Sequence, residues 1–178
     1  MDRRRALEKL KIRLEEMGGA SAEREISLRS GEAILSALRK RDVDAHALDA
    51  GDEDFVRRLA GGGFQRVFNA LHGRGGEDGV VQGLLESLAI PYTGSGVLGS
   101  ALAMDKLRTK QMWEGVNLPT PAFVMLNSDA DLQAAVDQLG FPMILKPVHE
   151  GSSIGMTKVE AADDMLPAYS LAKECKGA

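Results

Sequence analysis

The stretch RVFNALHGRGGEDGVVQGLLE, residues 66–86, decides the fold class. Arg66 to Leu71 is apolar enough for a buried strand, and Val80 to Ala89 has the spacing of a helix. Between them lies the glycine-rich loop HGRGGEDG, residues 72–79. A strand that leaves through such a loop into a helix is half of a βαβ unit, and these units build parallel sheets. Open sheets of this kind bind ligands at the loops that follow the strands. His72 stands at the strand's end, and the glycines let a ligand come close to the backbone. Glu77 and Asp78 suit the start of the next helix. The same residues also suit a plain βα turn with a capping acid and a surface histidine.

The flanking sequence repeats the alternation. Glu23 to Arg41 carries Ile26, Ala33, Ile34, Ala37 and Leu38 at roughly helical spacing, with Ser21 as N-cap candidate. Val43 to Leu48 reads as a short strand, Asp52 to Leu59 as a helix, and Pro91 to Thr93 as a strand leading into GSG (94–96). Val97 to Gly115 is helical, in one or two pieces. The pattern changes near residue 103. Ala122 to Leu126 reads as a strand, and Asp129 to Leu139 as a helix capped by Ser128. Met143 to Pro147 and Ile154 to Val159 are strands joined closely enough to form a hairpin, not a crossover. Asp163 to Lys176 is a last helix. The expected organisation is a parallel-sheet α/β domain over 1–103 and an α+β unit over 104–178. Residues 1–17 fit two patterns. Leu7, Leu10, Leu14 and Met17 repeat as in a helix, while Leu10, Ile12 and Leu14 alternate as in a strand; the abundant helix formers favour helix.

Composition narrows the function. The chain has 178 residues, 44% hydrophobic, and a net charge of -4. That suffices for one ordinary core, or one domain and part of another. No basic patch points to nucleic acid, and no run of about 18 apolar residues crosses a membrane. The first residues lack the apolar stretch of a signal peptide, and Glu8, Glu15 and Glu16 argue against a transit peptide. A single cysteine, Cys175, cannot form an internal disulfide and fits a reducing cytosol. The expected location is cytoplasmic.

Three further stretches offer chemistry. In KPVHEGSSIGM (146–156) a lysine at a strand's end precedes a loop of Gly151, Ser152, Ser153 and Gly155. The ammonium can face phosphate oxygens while backbone N–H groups and hydroxyls close over them; a plain hairpin turn uses the same residues. GGASAERE (18–25) lacks G-x-G-x-x-G spacing, so a dinucleotide reading is weak. Glu23 there can receive a ligand ammonium, or simply help start a helix. In MDKLRTK (104–110), Lys106, Arg108 and Lys110 make a cationic patch or a solvated helix face.

Taken together and in order, GGASAEREISLRSG (18–31), NALHGRGGEDGVVQGLLE (69–86), PYTGSGVLGSALAMDKLRTK (91–110) and KPVHEGSSIGMTKV (146–159) closely resemble the D-alanine–D-alanine ligases of the ATP-grasp superfamily. The resemblance implies a Rossmann-like (pre-ATP-grasp) parallel-sheet domain followed by the first α+β subdomain of an ATP-grasp domain. It implies ATP and Mg2+ as cofactors and D-alanine as substrate. ATP would phosphorylate one D-alanine carboxylate, and the amine of a second would attack the acyl phosphate, giving a dipeptide for peptidoglycan. Lys106 and Lys146 match the family's phosphate-contacting lysines. Glu23 matches the acid that anchors the first D-alanine's ammonium, and His72 the histidine near its carboxylate. Ser152 matches the serine that helps hold that acid, with Glu150 in the same motif, and Gly151, Ser152, Ser153 and Gly155 match the phosphate-covering loop. A homodimer is the common assembly of such ligases.

Two departures accompany the match. LKIRLEEM (10–17) is charged where the family has an apolar strand, although a central parallel strand is apolar on both faces. The sequence also stops after the first ATP-grasp subdomain. The expectation is an N-terminal portion without the adenine segment, lid tyrosine, oxyanion arginine or magnesium ligands, and without turnover by itself. A non-catalytic fragment that only binds ligand or a partner is the competing reading. A Rossmann oxidoreductase lacks its glycine fingerprint here.

Overall fold

The computed structural model describes residues 16–19, 21 and 23–175. The chain divides into two compact units, Met1–Ala101 and Leu102–Ala178, each with its own apolar core.

In the first unit β1 (Glu16–Met17) pairs in parallel with β2 (Leu48–Asp49), Glu16 opposite Leu48 and Met17 opposite Asp49. Parallel neighbours need a crossover, here containing α1 (Arg24–Arg39). Strand at Glu16–Met17 corrects the helical reading at the end of segment 1–17; the rest of that segment lies outside the described residues. A second parallel contact joins Val67 and Tyr92. The Val67 N–H donates to the Pro91 carbonyl at 2.8 Å and the Thr93 N–H to the Val67 carbonyl at 3.1 Å. Between them runs α3 (Val80–Ser87); α2 (Phe55–Gly61) follows β2, and α4 (Val97–Met104) comes last.

The strands are shorter than the sequence suggests, for local reasons. After Val67 the ladder yields to side chains: the Asn69 N–H donates to Thr93 Oγ1 at 3.1 Å, and the Leu71 N–H to Asn69 Oδ1 at 3.0 Å. Val43 donates back to the Leu38 carbonyl at the end of α1, so pairing starts only at Leu48. Leu48, Phe55, Leu59, Val67, Leu71, Val81 and Leu85 form the core. Leu59 and Leu85 are fully buried, each contributing about 1.5–3 kcal/mol. On α1 the buried residues are Ser27 and Gly31, one turn apart, while Ala33 of the expected apolar face is exposed.

In the second unit Asp105 breaks the helical run with extended geometry and caps α5 (Lys106–Gly115). A 3-10 turn at Asp129–Asp131, closed by a Ser128/Asp131 capping box, leads into α6 (Leu132–Leu139). Then β3 (Met143–Leu145) and β4 (Thr157–Val159) pair antiparallel, Met143 opposite Val159 and Leu145 opposite Thr157. A 3-10 turn at Ala162–Asp164 precedes α7 (Met165–Glu174). Residues 122–126, expected as a strand, are irregular; Val124 and Leu126 still pack on the core of Ala135, Leu145, Val159, Met165, Ala168, Tyr169 and Ala172. Among the described residues no helix is long and apolar enough to cross a membrane.

Candidate functional site

The first unit gathers Glu23, Ser21, His72 and Gly73 where the N-terminus of α1 meets the loop after Leu71. Glu23 is the N-cap residue of α1 and only 3% exposed. Ser21, the N-cap candidate from sequence, sits two residues earlier: its Oγ accepts the Glu23 N–H at 3.2 Å and donates to the His72 carbonyl at 2.8 Å. His72 Nε2 lies 3.3 Å from Ser30 Oγ, one to two turns along α1. Gly73 adopts φ +72, and a Cβ on it would stand 3.2 Å from Glu23 Oε1 and 3.2 Å from Ser21 Cβ. The missing side chain leaves the carboxylate its place.

Buried polar bonds hold this corner in register. Ser27 is fully buried; its Oγ accepts the Gly18 N–H at 2.9 Å and donates to the Ala70 carbonyl at 2.8 Å. Arg24 forms a two-pronged pair with Asp49 and also donates to the Gly19 carbonyl at 3.0 Å. Asp49 accepts the Gly51 N–H at 2.7 Å. The Arg24 guanidinium, against the opposing pull of partial burial, lowers the Asp49 carboxyl to about 2. Past His72, the Gly73 N–H donates to Glu77 Oε2 at 2.7 Å, and the Gly75 N–H to Asp78 Oδ2 at 2.9 Å. The two acids therefore brace the loop itself, and Gly79 takes the N-cap position of α3.

The second unit gathers Lys106, Glu150 and the glycine-serine loop. Lys106 opens α5, and its Nζ donates to the Val148 carbonyl at 3.3 Å and to the Glu150 carbonyl. Leu145 is buried at the end of β3 and Lys146 exposed directly after it, as strand alternation requires. The loop turns on bonds from the Ile154 N–H to the Gly151 carbonyl, 2.9 Å, and from the Met156 N–H to the Ser153 carbonyl, 3.2 Å. Ser152 and Ser153 hold φ values of 48 and 62 and are exposed. Consecutive left-handed residues other than glycine cost roughly 1–2 kcal/mol each. Gly155, at φ +66, packs so tightly that a Cβ would collide with Cys175 Sγ and Pro147.

Lys110 does not join a cationic patch with Lys106. Its Nζ donates to Thr120 Oγ1 and to the Pro121 carbonyl, both at 2.7 Å, and lies 5.0 Å from the Phe123 ring centre. Sequence reasoning missed Asp105, His149, Arg24, Asp49, Ser27 and Ser30. Nothing in the spacing of Arg24 and Asp49, or of Asp105 and His149, marks them as partners. Among the described residues no group of three or more His, Cys, Asp or Glu side chains is placed to hold a metal ion.

Two family models match the chain: D-ala D-ala ligase N-terminus over residues 51–95, and D-ala D-ala ligase C-terminus over 112–176. The chain is 61% identical over 152 residues to a D-alanine–D-alanine ligase of Ectopseudomonas mendocina (strain ymp), covering 85% of this chain and 48% of that protein. The chain belongs to the D-alanine–D-alanine ligase family. A D-alanine–D-alanine ligase of Ralstonia pickettii (strain 12J) is also 61% identical, over 88% of this chain and 47% of its own length. The chain thus spans about half the length of the curated relatives it matches. Solved ligase structures agree in fold. The Bacillus anthracis ligase superposes with a TM-score of 0.75 at 33% identity, over 89% of this chain and 53% of that one. The Helicobacter pylori ligase gives 0.73 at 25% identity, over 93% and 60%. The fold class is therefore the mixed α/β architecture of the ATP-grasp ligases.

Proposed function

We propose that this chain carries the D-alanine-binding and phosphate-covering parts of a ligase that joins two D-alanines with ATP and Mg2+, through an acyl phosphate, for peptidoglycan. In this reading residues 1–103 are the substrate domain and 104–178 the first ATP-grasp subdomain. The buried carboxylate of Glu23 beside Gly73 carries the proposal. It lies beside Ser21, His72 and Gly73, and a carboxylate in so dry a corner makes a strong charge-assisted hydrogen bond to an amino acid's ammonium. His72 accompanies it toward the substrate carboxylate. Lys106 and Lys146 serve the phosphates, where negative charge accumulates during transfer. Glu150, Gly151, Ser152, Ser153 and Gly155 form the cover, and the left-handed backbone of the two serines is of the kind from which anion-binding loops are built.

Calorimetric titration of the chain with D-alanine and, separately, with ATP and Mg2+ tests this. Glu23→Gln is expected to weaken D-alanine roughly tenfold or more, the scale of a lost charge-assisted hydrogen bond, and to leave ATP binding intact. D-alanine affinity unchanged by that substitution would defeat the assignment of Glu23.

A further inference from the structure

Two neighbouring residues at the start of α5 grip three consecutive residues ahead of the glycine-serine loop. Asp105 uses both carboxylate oxygens: Oδ1 accepts the Arg108 N–H at 2.9 Å, closing the helix, and Oδ2 lies 3.4 Å from His149 Nε2. Lys106 holds the flanking residues. Its backbone N–H donates to the Val148 carbonyl at 3.2 Å, and its Nζ to the Val148 and Glu150 carbonyls. The His149 and Asp105 side chains are 33% and 24% exposed, so water screens their attraction only partly. Burial raises the Asp105 carboxyl, yet the Arg108 N–H and the His149 ring together hold it below the ordinary carboxylate value. The oxygen facing His149 is a carboxylate oxygen.

Beyond Glu150 the chain changes character. Ser152 and Ser153 are exposed and sit in the left-handed region, and the Ile154-to-Gly151 and Met156-to-Ser153 backbone bonds each span three residues. Such a loop takes its direction from the point where it is anchored. We propose that His149, held by Asp105, is a positioning residue that fixes where the Gly151–Gly155 loop leaves the strand relative to Lys106. Lys106 holds the Val148 and Glu150 carbonyls on either side of His149, and the ring on Asp105 adds a third point of attachment between them. The consequence for phosphate binding rests on the proposed ATP reading; the anchoring itself does not.

Amide hydrogen exchange at residues 150–156 of the full chain, measured beside ATP affinity, decides the matter. His149→Ala is expected to speed exchange there about tenfold, the scale of one hydrogen bond to a charged group. Amides of β4 and α7 stay protected, and ATP binding weakens by a similar factor. His149→Gln, which can still donate to Asp105, recovers most of both. Asp105→Asn keeps the helix cap, and adding it to His149→Ala brings no further loss. Unchanged exchange at 150–156, additive losses, or an equal loss of protection in β4 and α7 would each overturn the proposal. If wild-type chain binds no ATP, the nucleotide reading fails by itself, while the exchange result still decides the anchoring.

Discussion

Arg24 and Asp49, 25 residues apart, meet in a two-pronged ion pair, Nη1 to Oδ1 at 2.8 Å and Nη2 to Oδ2 at 2.5 Å. The pair clasps the Gly18–Gly19 turn to the end of β2, because each partner also bonds Gly19. Arg24 directly follows Glu23, so the clasp bears on the candidate substrate acid.

The clasp sets an acid limit on stability. Asp49 titrates at about 2 in the folded chain against an ordinary value of 3.8. A depressed carboxyl contributes its full stabilisation above the unfolded value and loses it as pH falls through the folded one. The urea midpoint of the wild-type chain is expected to drop between about pH 4 and pH 2. In Asp49→Asn the drop over that window should be smaller. Equal slopes in the two proteins would show that the pair does not govern acid stability.

Ser27 is a second structural key. Replacing it with alanine removes the hydroxyl that pairs the Gly18 N–H and the Ala70 carbonyl inside the core. Each buried polar group left unsatisfied costs about 1–3 kcal/mol. Ser27→Ala is therefore expected to destabilise the chain by about 2–4 kcal/mol in denaturant unfolding. A loss under about 0.5 kcal/mol, the range of an ordinary surface change, would contradict the bonding described.

What could be seen in the sequence was local. The Ser128 cap and the β3–β4 hairpin follow from residues close together in the chain, and both appear in the fold, while the open choice of one or two helices over 97–115 resolves into two, α4 and α5. The strand expected over Arg66 to Leu71 is shorter in the fold, because an apolar run does not reveal that the Asn69 N–H bonds Thr93 Oγ1 and the Leu71 N–H bonds Asn69 Oδ1. Candidate site residues such as Glu23, His72 and Lys106 came from resemblance to a family pattern. Their partners did not. Ser27 reaches Ala70 across 43 residues and Asp105 reaches His149 across 44, and no periodicity encodes such a meeting.

Gly73 couples backbone strain to the candidate D-alanine site. At φ +72 an alanine pays about 1–2 kcal/mol for left-handed geometry, and its Cβ would press on Glu23 and Ser21. Gly73→Ala is expected to lower stability by about that amount and to weaken D-alanine binding. Gly75→Ala is the control: φ there is +85, but nothing lies within 4 Å of the added carbon. It should share the stability loss and spare the binding. Equal effects of the two on D-alanine would mean that crowding at Glu23 is not what matters.

Lys106 and Lys146 should differ in how they fail. Lys146 is exposed after β3, so Lys146→Met removes a charge and little else. Its expected effect is an ATP affinity about tenfold weaker, or more, with an unchanged melting temperature. Lys106, proposed to meet the phosphates, also ties down the carbonyls of Val148 and Glu150. Lys106→Met should weaken ATP at least as much and also loosen the loop, seen as faster amide exchange at residues 150–156 in the absence of nucleotide. Arginine at 106 keeps the charge but not the compact ammonium that fits between two carbonyls. It is expected to recover part of the affinity and little of the exchange protection. Full recovery of both by arginine would show that charge alone accounts for Lys106, leaving its carbonyl bonds without a role in the loop.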